Sequence, residues 1–234
     1  MKIKILQWNI WYQEKVENII KLIKQINPDI ICLQELTDKN PYNDKEDVSK
    51  IIAEQLNLNY NFAKSHTFEN NEIQGNGIFS KFKIIKNSNF FIVEPKGNQD
   101  YSNEGRVCAV STIKLNDNKT IAIATTHSSY NNKFIENKSK LNEINKLNDF
   151  FKTQKDNFIF TGDLNITPNS KSIKLIEQTL THCGPDYNQA TWTTKPFSYQ
   201  GFEVTQLKYR LDYIFSTPDI KIISSKIIKT KNVK

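Results

Sequence analysis

Five short apolar segments of the chain run directly into polar residues that can take part in chemistry. An apolar segment of four to eight residues bounded by polar or turn residues is typical of a buried β-strand. In a sheet covered on both faces, ligands bind at the ends of strands, so these polar residues can converge on one pocket. In chain order, the segments reach Asn9, Gln34-Glu35, Thr125-Thr126-His127, Gly162-Asp163-Leu164-Asn165 and, within residues 210–215, Asp212. Each one taken singly also fits a strand end that a loop satisfies.

The segment that ends in Gly162-Asp163-Leu164-Asn165 is the most informative of the five. Strand alternation predicts that Asp163 and Asn165 point to the same side, and Gly162 would let a ligand approach the backbone closely. A capped strand that leads into a turn at residues 167–169 is the alternative interpretation.

Hydrophobic periodicity predicts a mixture of helices and strands. Apolar residues recur at helical spacing in residues 16–26, 47–58, 134–151 and 170–180, and extended segments are predicted at 77–82, 84–93, 106–115 and 120–126. This mixture indicates an α/β or an α+β fold.

The composition fits a globular enzyme-sized chain. With 234 residues, 38% of them hydrophobic, the chain is long enough for a sizeable core, and no run of about 18 apolar residues predicts a membrane span. The first residues lack the apolar stretch of a secretory leader, so we expect a cytoplasmic protein. Cys32, Cys108 and Cys183 are far apart, which favours buried thiols over a disulfide framework or a zinc site.

The net charge of +7 and the isoelectric point near 9.1 fit a polyanionic partner. The lysines are scattered along the chain, so a solvated basic surface explains the charge equally well.

Taken together, the ordered motifs resemble those of the endonuclease/exonuclease/phosphatase superfamily of metal-dependent phosphoesterases. The match covers residues 3–216, in the order Trp8-Asn9, Gln34-Glu35, GNGIFSK at 75–81, TTH at 125–127, GDLN at 162–165 and RLDYIF at 210–215. The resemblance implies a single domain over residues 1–234 with an α/β fold, a four-layer αββα sandwich. In that fold, two mixed β-sheets pack face to face with helices outside. It also implies cleavage of a phosphoester with Mg²⁺ or Mn²⁺.

Hydrolysis of a phosphoester requires a metal ion, a group that orients or deprotonates water, and donors for developing negative charge. Glu35 is the expected metal ligand, because a hard carboxylate suits Mg²⁺, and Asn9 would fix Glu35, the metal or its waters. Asp163 would hold the attacking water, Asn165 would donate to the phosphate, and His127, if protonated or hydrogen-bonded, would donate to a non-bridging oxygen.

Three further residues are candidates for substrate binding. Arg106 is a possible phosphate clamp, although pairing with a surface carboxylate is the favoured alternative. Asn76 either lies near the phosphate or forms an Asn-Gly hairpin turn with Gly77. Trp192, in a polar and aromatic loop, either stacks against a base or packs beneath that loop.

The chain departs from the superfamily at its end. Members carry an Asp-His pair a couple of dozen residues after the strand that holds Asp212, and none is present up to Lys234. We therefore expect the natural protein to continue into that pair and one more strand, and Asp212 to lack the histidine that it would orient.

The expected function is that of a Mg²⁺-dependent phosphodiesterase, a nuclease acting on DNA or RNA. We expect the protein to be a monomer without a membrane span. The alternatives are a catalytically impaired module that binds phosphate or nucleic acid, and a phosphodiesterase for tyrosyl-DNA or phospholipid headgroups.

Overall fold

The computed structural model describes residues 1–96, 103–193, 195–199 and 201–229. The four α-helices of this described part are α1 (Val16–Ile26), α2 (Val48–Leu56), α3 (Lys138–Phe151) and α4 (Lys171–Glu177). Its strands are β1 (Ile5–Asn9), β2 (Ile30–Asp38), β3 (Asn59–Thr67), β4 (Ile73–Ser80), β5 (Lys83–Val93), β6 (Arg106–Asn116), β7 (Lys119–His127), β8 (Phe158–Asp163), β9 (Thr181–His182), β10 (Phe197–Tyr199), β11 (Phe202–Val204) and β12 (Asp212–Ser216).

The strands form two large mixed sheets and a small hairpin. The first sheet has the order β1-β2-β4-β3, the second has the order β5-β6-β7-β8-β12-β9, and β10 pairs with β11. Strands β1 and β2 run parallel, as do β7 and β8, while β12 runs antiparallel to β8. The parallel pairs place the ends of β1 and β2, and those of β7 and β8, at the same edges of their sheets.

Three apolar layers hold the fold together as a four-layer αββα sandwich, which confirms the predicted fold class. One cluster joins α1 and α2 to the outer face of the first sheet, and another joins α3 and α4 to the outer face of the second. A third cluster fills the space between the two sheets, with Ile30, Cys32 and Ile78 facing Val107 and Ile123. Burial of apolar surface in all three layers is the main stabilising contribution.

Strand alternation explains why single strands contribute to two layers. In β2, Ile31 and Leu33 face the helices, whereas Ile30 and Cys32 face the second sheet. Strand β2 is therefore apolar on both faces, which produces the continuous apolar run seen in the sequence.

Burial also decides the state of the cysteines. Cys32, Cys108 and Cys183 are buried free thiols, as expected, and burial raises the pKa of Cys32 to about 12. No helix within the described ranges is long and apolar enough to cross a membrane.

Candidate active site

The ends of several strands from both sheets meet in one cleft. The pairing of β7 with β8 places His127 opposite Asp163, and the pairing of β12 with β8 places Asp212 opposite Asp163. In the first sheet, Asn9 ends β1 opposite Gln34 of β2. All the predicted site residues except Asn76 line this cleft, and Asn76 borders a small adjacent cavity together with Glu35, Arg106 and His127.

Asn9 connects the two sheets at the cleft. Its Nδ2 donates to Glu35 Oε1 at 2.8 Å and to Asp163 Oδ2 at 3.0 Å, while its Oδ1 accepts from the Trp11 backbone N–H at 3.0 Å. The amide therefore lies between two carboxylates from different sheets and fixes the orientation of both. Of the roles considered for Asn9, this geometry supports that of holding Glu35.

Glu35 reaches the cleft because β2 is irregular at this point. The register with β4 shifts between Leu33 and Leu36, and Glu35 has a left-handed backbone with φ of 59°. A bulge of this kind redirects a side chain, and such strain is commonly found at functional sites. Glu35 Oε2 accepts from the Tyr12 backbone N–H at 3.0 Å, so the carboxylate is held at both oxygens.

Asp163 is buried at the end of β8. Burial raises its pKa to about 8, and the negative charge of Asp212 adds to the effect, against the hydrogen bonds from Asn9 and the Asn165 backbone. Gly162, which precedes it, has no room for a side chain, since a Cβ would lie 2.4 Å from the Thr126 carbonyl oxygen. Packing against β7 therefore accounts for this glycine without any ligand approach.

Asn165 lies beyond β8, with a left-handed φ of 48°, and not on a continued strand as alternation predicted. Its backbone N–H donates to Asp163 Oδ1 at 2.9 Å, which brings both residues to the cleft nonetheless. Its Nδ2 donates to the Ser128 carbonyl at 3.0 Å and lies 3.0 Å from His127 Nε2. The predicted turn also forms, and Ser170 caps α4 after it.

His127 is neutral in this environment. Burial lowers its pKa well below the usual value, and the positive charges of Arg106 and Lys140 lower it further. Two donors face the ring, Asn165 Nδ2 at 3.0 Å from Nε2 and Arg106 Nη1 at 3.5 Å from Nδ1, and the shorter contact assigns the acceptor role to Nε2 and the proton to Nδ1. Of the two states considered for His127, the hydrogen-bonded neutral form fits the structure.

Arg106 pairs with Glu104, so the expected pairing with a carboxylate is present, but both side chains are largely buried and the carboxylate does not lie on the surface. Arg106 Nη1 also lies 3.5 Å from His127 Nδ1. The guanidinium thus stands beside the cleft as a local positive charge.

The hairpin interpretation of Asn76 is wrong. Asn76 lies within β4, paired with Ala63 of β3, and its Nδ2 donates to the Val107 carbonyl at 2.9 Å. It therefore joins the two sheets beside the cleft. Gly75 is required by close packing, because a Cβ there would lie 2.2 Å from the Ala63 carbonyl oxygen.

Trp192 packs beneath its loop, as the alternative interpretation predicted. Its ring contacts Phe134 and Phe197 at centroid distances of 5.1 and 5.0 Å. In the same aromatic group, Tyr199 is 45% exposed and lies 5.9 Å from Tyr130. Tyr199 therefore presents an exposed aromatic ring on the cleft wall, with the half-buried Tyr130 beside it.

A buried polar network below the cleft was not predicted from the sequence. Gln7 Nε2 donates to Asp212 Oδ1 at 3.1 Å and to Gln34 Oε1 at 2.7 Å, and Gln34 Nε2 donates to Thr125 Oγ1 at 2.8 Å. Burial raises the pKa of Asp212, against the hydrogen bonds from Thr191 and Gln7. Gln7 carries a detectable signal, because it lies two residues before Asn9 and so points to the same side of β1.

The donor set fits a hard divalent cation. Glu35, Asp163 and Asp212 bring carboxylate oxygens to the cleft, and the described residues hold no cluster of three or more His, Cys, Asp or Glu side chains arranged as metal ligands. Carboxylate oxygens are preferred ligands of hard divalent cations, which take one or two carboxylates and keep several waters. Glu35, oriented by Asn9, is a residue that could hold such a cation.

Comparisons with known proteins identify the family and the fold. A sequence model described as the Endonuclease/Exonuclease/phosphatase family matches residues 6–232. Enzymes of that family generally use divalent metal ions. The comparison with curated proteins found no significant match.

Several solved structures share the fold. An endonuclease/exonuclease/phosphatase family protein from Leptotrichia buccalis C-1013-b is 22% identical with a TM-score of 0.67, covering 94% of this chain and 89% of that one. D. rerio TDP2 complexed with single strand DNA product is 14% identical with a TM-score of 0.67, covering 94% and 86%. The human Nocturnin catalytic domain with bound sulfate anion is 18% identical with a TM-score of 0.62, covering 92% and 83%.

Proposed function

Because the chain belongs to the endonuclease/exonuclease/phosphatase family, we propose that it is a Mg²⁺- or Mn²⁺-dependent phosphodiesterase that hydrolyses DNA or RNA. The observation that carries the proposal is the position of the Asn9 amide. It bridges Glu35 of the first sheet and Asp163 of the second, so a site for a cation and a site for water lie side by side.

Each side chain of the site has its own role in the proposed hydrolysis. A divalent cation held by Glu35 would neutralise charge on the phosphoryl oxygens and lower the pKa of the nearby Asp163. Asp163, held by Asn9 and by the Asn165 backbone, orients the attacking water and accepts its proton. The Asn165 amide orients neutral His127 through Nε2, so that its Nδ1–H would donate to a non-bridging phosphate oxygen, with Arg106 as an adjacent positive charge.

A nucleic-acid substrate is favoured by charge and by the cleft wall. The chain carries a net charge of +7, and Tyr130 and Tyr199 line the same cleft as Asp163. Aromatic side chains stack on bases without sequence preference, and basic residues contact the phosphates. The structural neighbour TDP2, which was solved with a single strand DNA product, is consistent with this substrate class.

The test is hydrolysis of bis-p-nitrophenyl phosphate, plasmid DNA and single-stranded RNA with Mg²⁺, with Mn²⁺ and with EDTA. We expect metal-dependent turnover that Asp163→Asn abolishes and that Asp149→Asn, an exposed carboxylate on α3, leaves unchanged. Binding to nucleic acid should weaken as salt rises. Salt-independent binding, or a clear preference for a phospholipid headgroup, would contradict nucleic acid as the substrate. A preference for tyrosyl-DNA over unmodified DNA would identify that alternative instead.

A second candidate function is binding of phosphate or nucleic acid without efficient hydrolysis. Within the described residues, no hydrogen bond or ion pair joins Asp212 to a histidine, and its carboxylate is held by Gln7. In either case we propose a monomeric, cytoplasmic protein. Metal-dependent turnover by the 234-residue chain tests this second candidate, because efficient hydrolysis would show that no histidine beside Asp212 is needed.

A further inference from the structure

Lys140 occupies an unfavourable position for a charged side chain. It is fully buried, with 0% of the residue exposed, and it lies in the first turn of α3, where the helix dipole disfavours a cation. Burial lowers its pKa to about 8. Such a group persists only where surrounding hydrogen bonds compensate for its loss of water.

The ammonium group of Lys140 is fully hydrogen-bonded. Its Nζ donates to Ser128 Oγ at 2.6 Å, to the Leu164 carbonyl at 3.0 Å and to the Ser129 carbonyl. An ammonium has three N–H donors, so all of them are used. The acceptors belong to two different loops, one after β7 and one after β8.

Glu143 reinforces the same arrangement from the next turn of α3. Its Oε2 lies 3.7 Å from Lys140 Nζ and accepts from the Ser129 backbone N–H at 3.0 Å. Glu143 is itself 2% exposed, so the two charges are buried together.

The two loops that Lys140 joins carry the reacting groups of the proposed site. Ser128 follows His127, and Leu164 lies between Asp163 and Asn165. The loops also contact each other, through a hydrogen bond of 2.9 Å from the Ser128 N–H to the Asp163 carbonyl and one of 3.0 Å from Asn165 Nδ2 to the Ser128 carbonyl. A shift of either loop would therefore change the spacing between His127, Asp163 and Asn165.

From these contacts we infer that Lys140 is a positioning residue for catalysis, which clamps the loops after β7 and β8 so that His127 and Asn165 face the phosphate. The role rests on the proposed phosphodiesterase function. Lys140 does not line the cleft, and it acts through Ser128, Ser129 and Leu164. Small displacements of catalytic groups can reduce rates by about 10²-fold.

The test compares Lys140→Met, which keeps the length of the side chain but removes its donors, with Asn148→Ala on the same helix. Asn148 is buried and accepts from Thr179 Oγ1 at 2.8 Å, away from the cleft. Both variants lose buried hydrogen bonds, so both should unfold at lower temperature. We expect Lys140→Met alone to lower kcat by about 10- to 100-fold per folded molecule, with KM changed much less.

Ser128→Ala is the second variant, in case Lys140→Met does not fold. It removes one acceptor of the Lys140 ammonium, together with a hydroxyl that donates to the Leu164 carbonyl. It should lower kcat in the same direction by a smaller factor. A kcat within twofold of wild type in each folded variant would overturn the inference and leave Lys140 a purely structural residue.

Hydrogen exchange separates this inference from the proposed function. If Lys140 is a clamp, Lys140→Met or Ser128→Ala should speed exchange of the amides of Ser128, Ser129 and Asn165, while Asn148→Ala should not. An inactive wild type with this local pattern would contradict the phosphodiesterase function but not the clamp. Unchanged exchange at these amides would contradict the clamp whatever the activity.

Discussion

His127 Nε2 and Asp163 Oδ2 lie 3.8 Å apart at the ends of neighbouring parallel strands, yet the two residues do not form a charged pair. Burial lowers the pKa of His127 and raises that of Asp163 to about 8, so each favours its neutral form near pH 7. Burial is the main cause of both shifts, and a like charge adds to each of them, that of Asp212 for Asp163 and that of Arg106 for His127. Binding of a cation in the cleft would therefore strongly change the ionisation of these residues.

We predict that Glu35→Gln weakens binding of Mg²⁺ and Mn²⁺ by at least about tenfold. The substitution keeps the shape of the side chain but removes the carboxylate charge, and even outer contacts of a metal site are worth about 10- to 100-fold in affinity. Calorimetric titration measures the effect. Glu54→Gln, an exposed residue that pairs with Lys50, is the matched control. Equal affinity in wild type and Glu35→Gln would remove Glu35 as the ligand.

We predict that Asp163→Asn reduces the loss of stability that the metal-free protein undergoes as the pH rises towards 8. An unfolded aspartate ionises near pH 4, whereas folded Asp163 ionises only near pH 8, so the folded state binds more protons between these values. Stability from this group is therefore lost as the pH rises from about 4 to 8. The asparagine side chain of the variant has no charge to desolvate, so it does not lose stability in this way as the pH rises.

Thermal unfolding in EDTA across this pH range measures the difference. The Tm of Asp163→Asn relative to that of wild type should rise between pH 4 and pH 8. Asp149→Asn, whose side chain is 73% exposed, should show no such trend. A difference in Tm between Asp163→Asn and wild type that does not change with pH would contradict the prediction.

The sequence predicted best those helices and strands whose bounds follow from the spacing of their own apolar and polar residues. Helix α1 has the bounds that were predicted, because its apolar residues recur at helical spacing and Asn27 ends it in the left-handed conformation before Pro28. Helix α3 begins at Lys138 and not at residue 134, because the Asn137 side chain caps the helix by accepting from the Lys140 backbone N–H. Strand β3 was not predicted, since its first residues are exposed and apolar and polar residues alternate only weakly along it.

The core of the candidate site was predictable because strand ends carry its polar residues. Asn9, Glu35 and Asp163 all follow apolar runs, and the structure brings them together. Lys140 could not be recognised, because α3 contains three lysines and only the fold buries this one. Tertiary contact, and not local pattern, distinguishes a positioning residue of this kind.

We predict that Trp192→Ala lowers stability more than it lowers affinity for nucleic acid. Trp192 is half-buried among Phe134, Phe197 and Tyr209, and loss of such a ring costs about 3 kcal/mol. Tyr199→Ala should do the reverse, because stacking of a base on an accessible ring is worth about 1–3 kcal/mol. Chemical denaturation and binding to labelled single-stranded DNA measure the two effects. A larger loss of affinity in Trp192→Ala at unchanged stability would restore the stacking role to Trp192.

We predict that Asn9→Ala moves the acidic limb of the kcat/KM profile to higher pH. The hydrogen bond from Asn9 Nδ2 to Asp163 favours the ionised carboxylate, so its loss raises the pKa of the base. A hydrogen bond to a charged group is worth about 1.5–3 kcal/mol, which corresponds to a shift of about one to two pH units. Activity should therefore fall most near neutral pH and recover in part as the pH rises. Asn18→Ala on α1 removes a hydrogen bond to Glu14 and should leave the pH profile of kcat/KM unchanged. A uniform loss of activity at every pH would show instead that Asn9 acts through Glu35 and the metal, and not through the ionisation of Asp163.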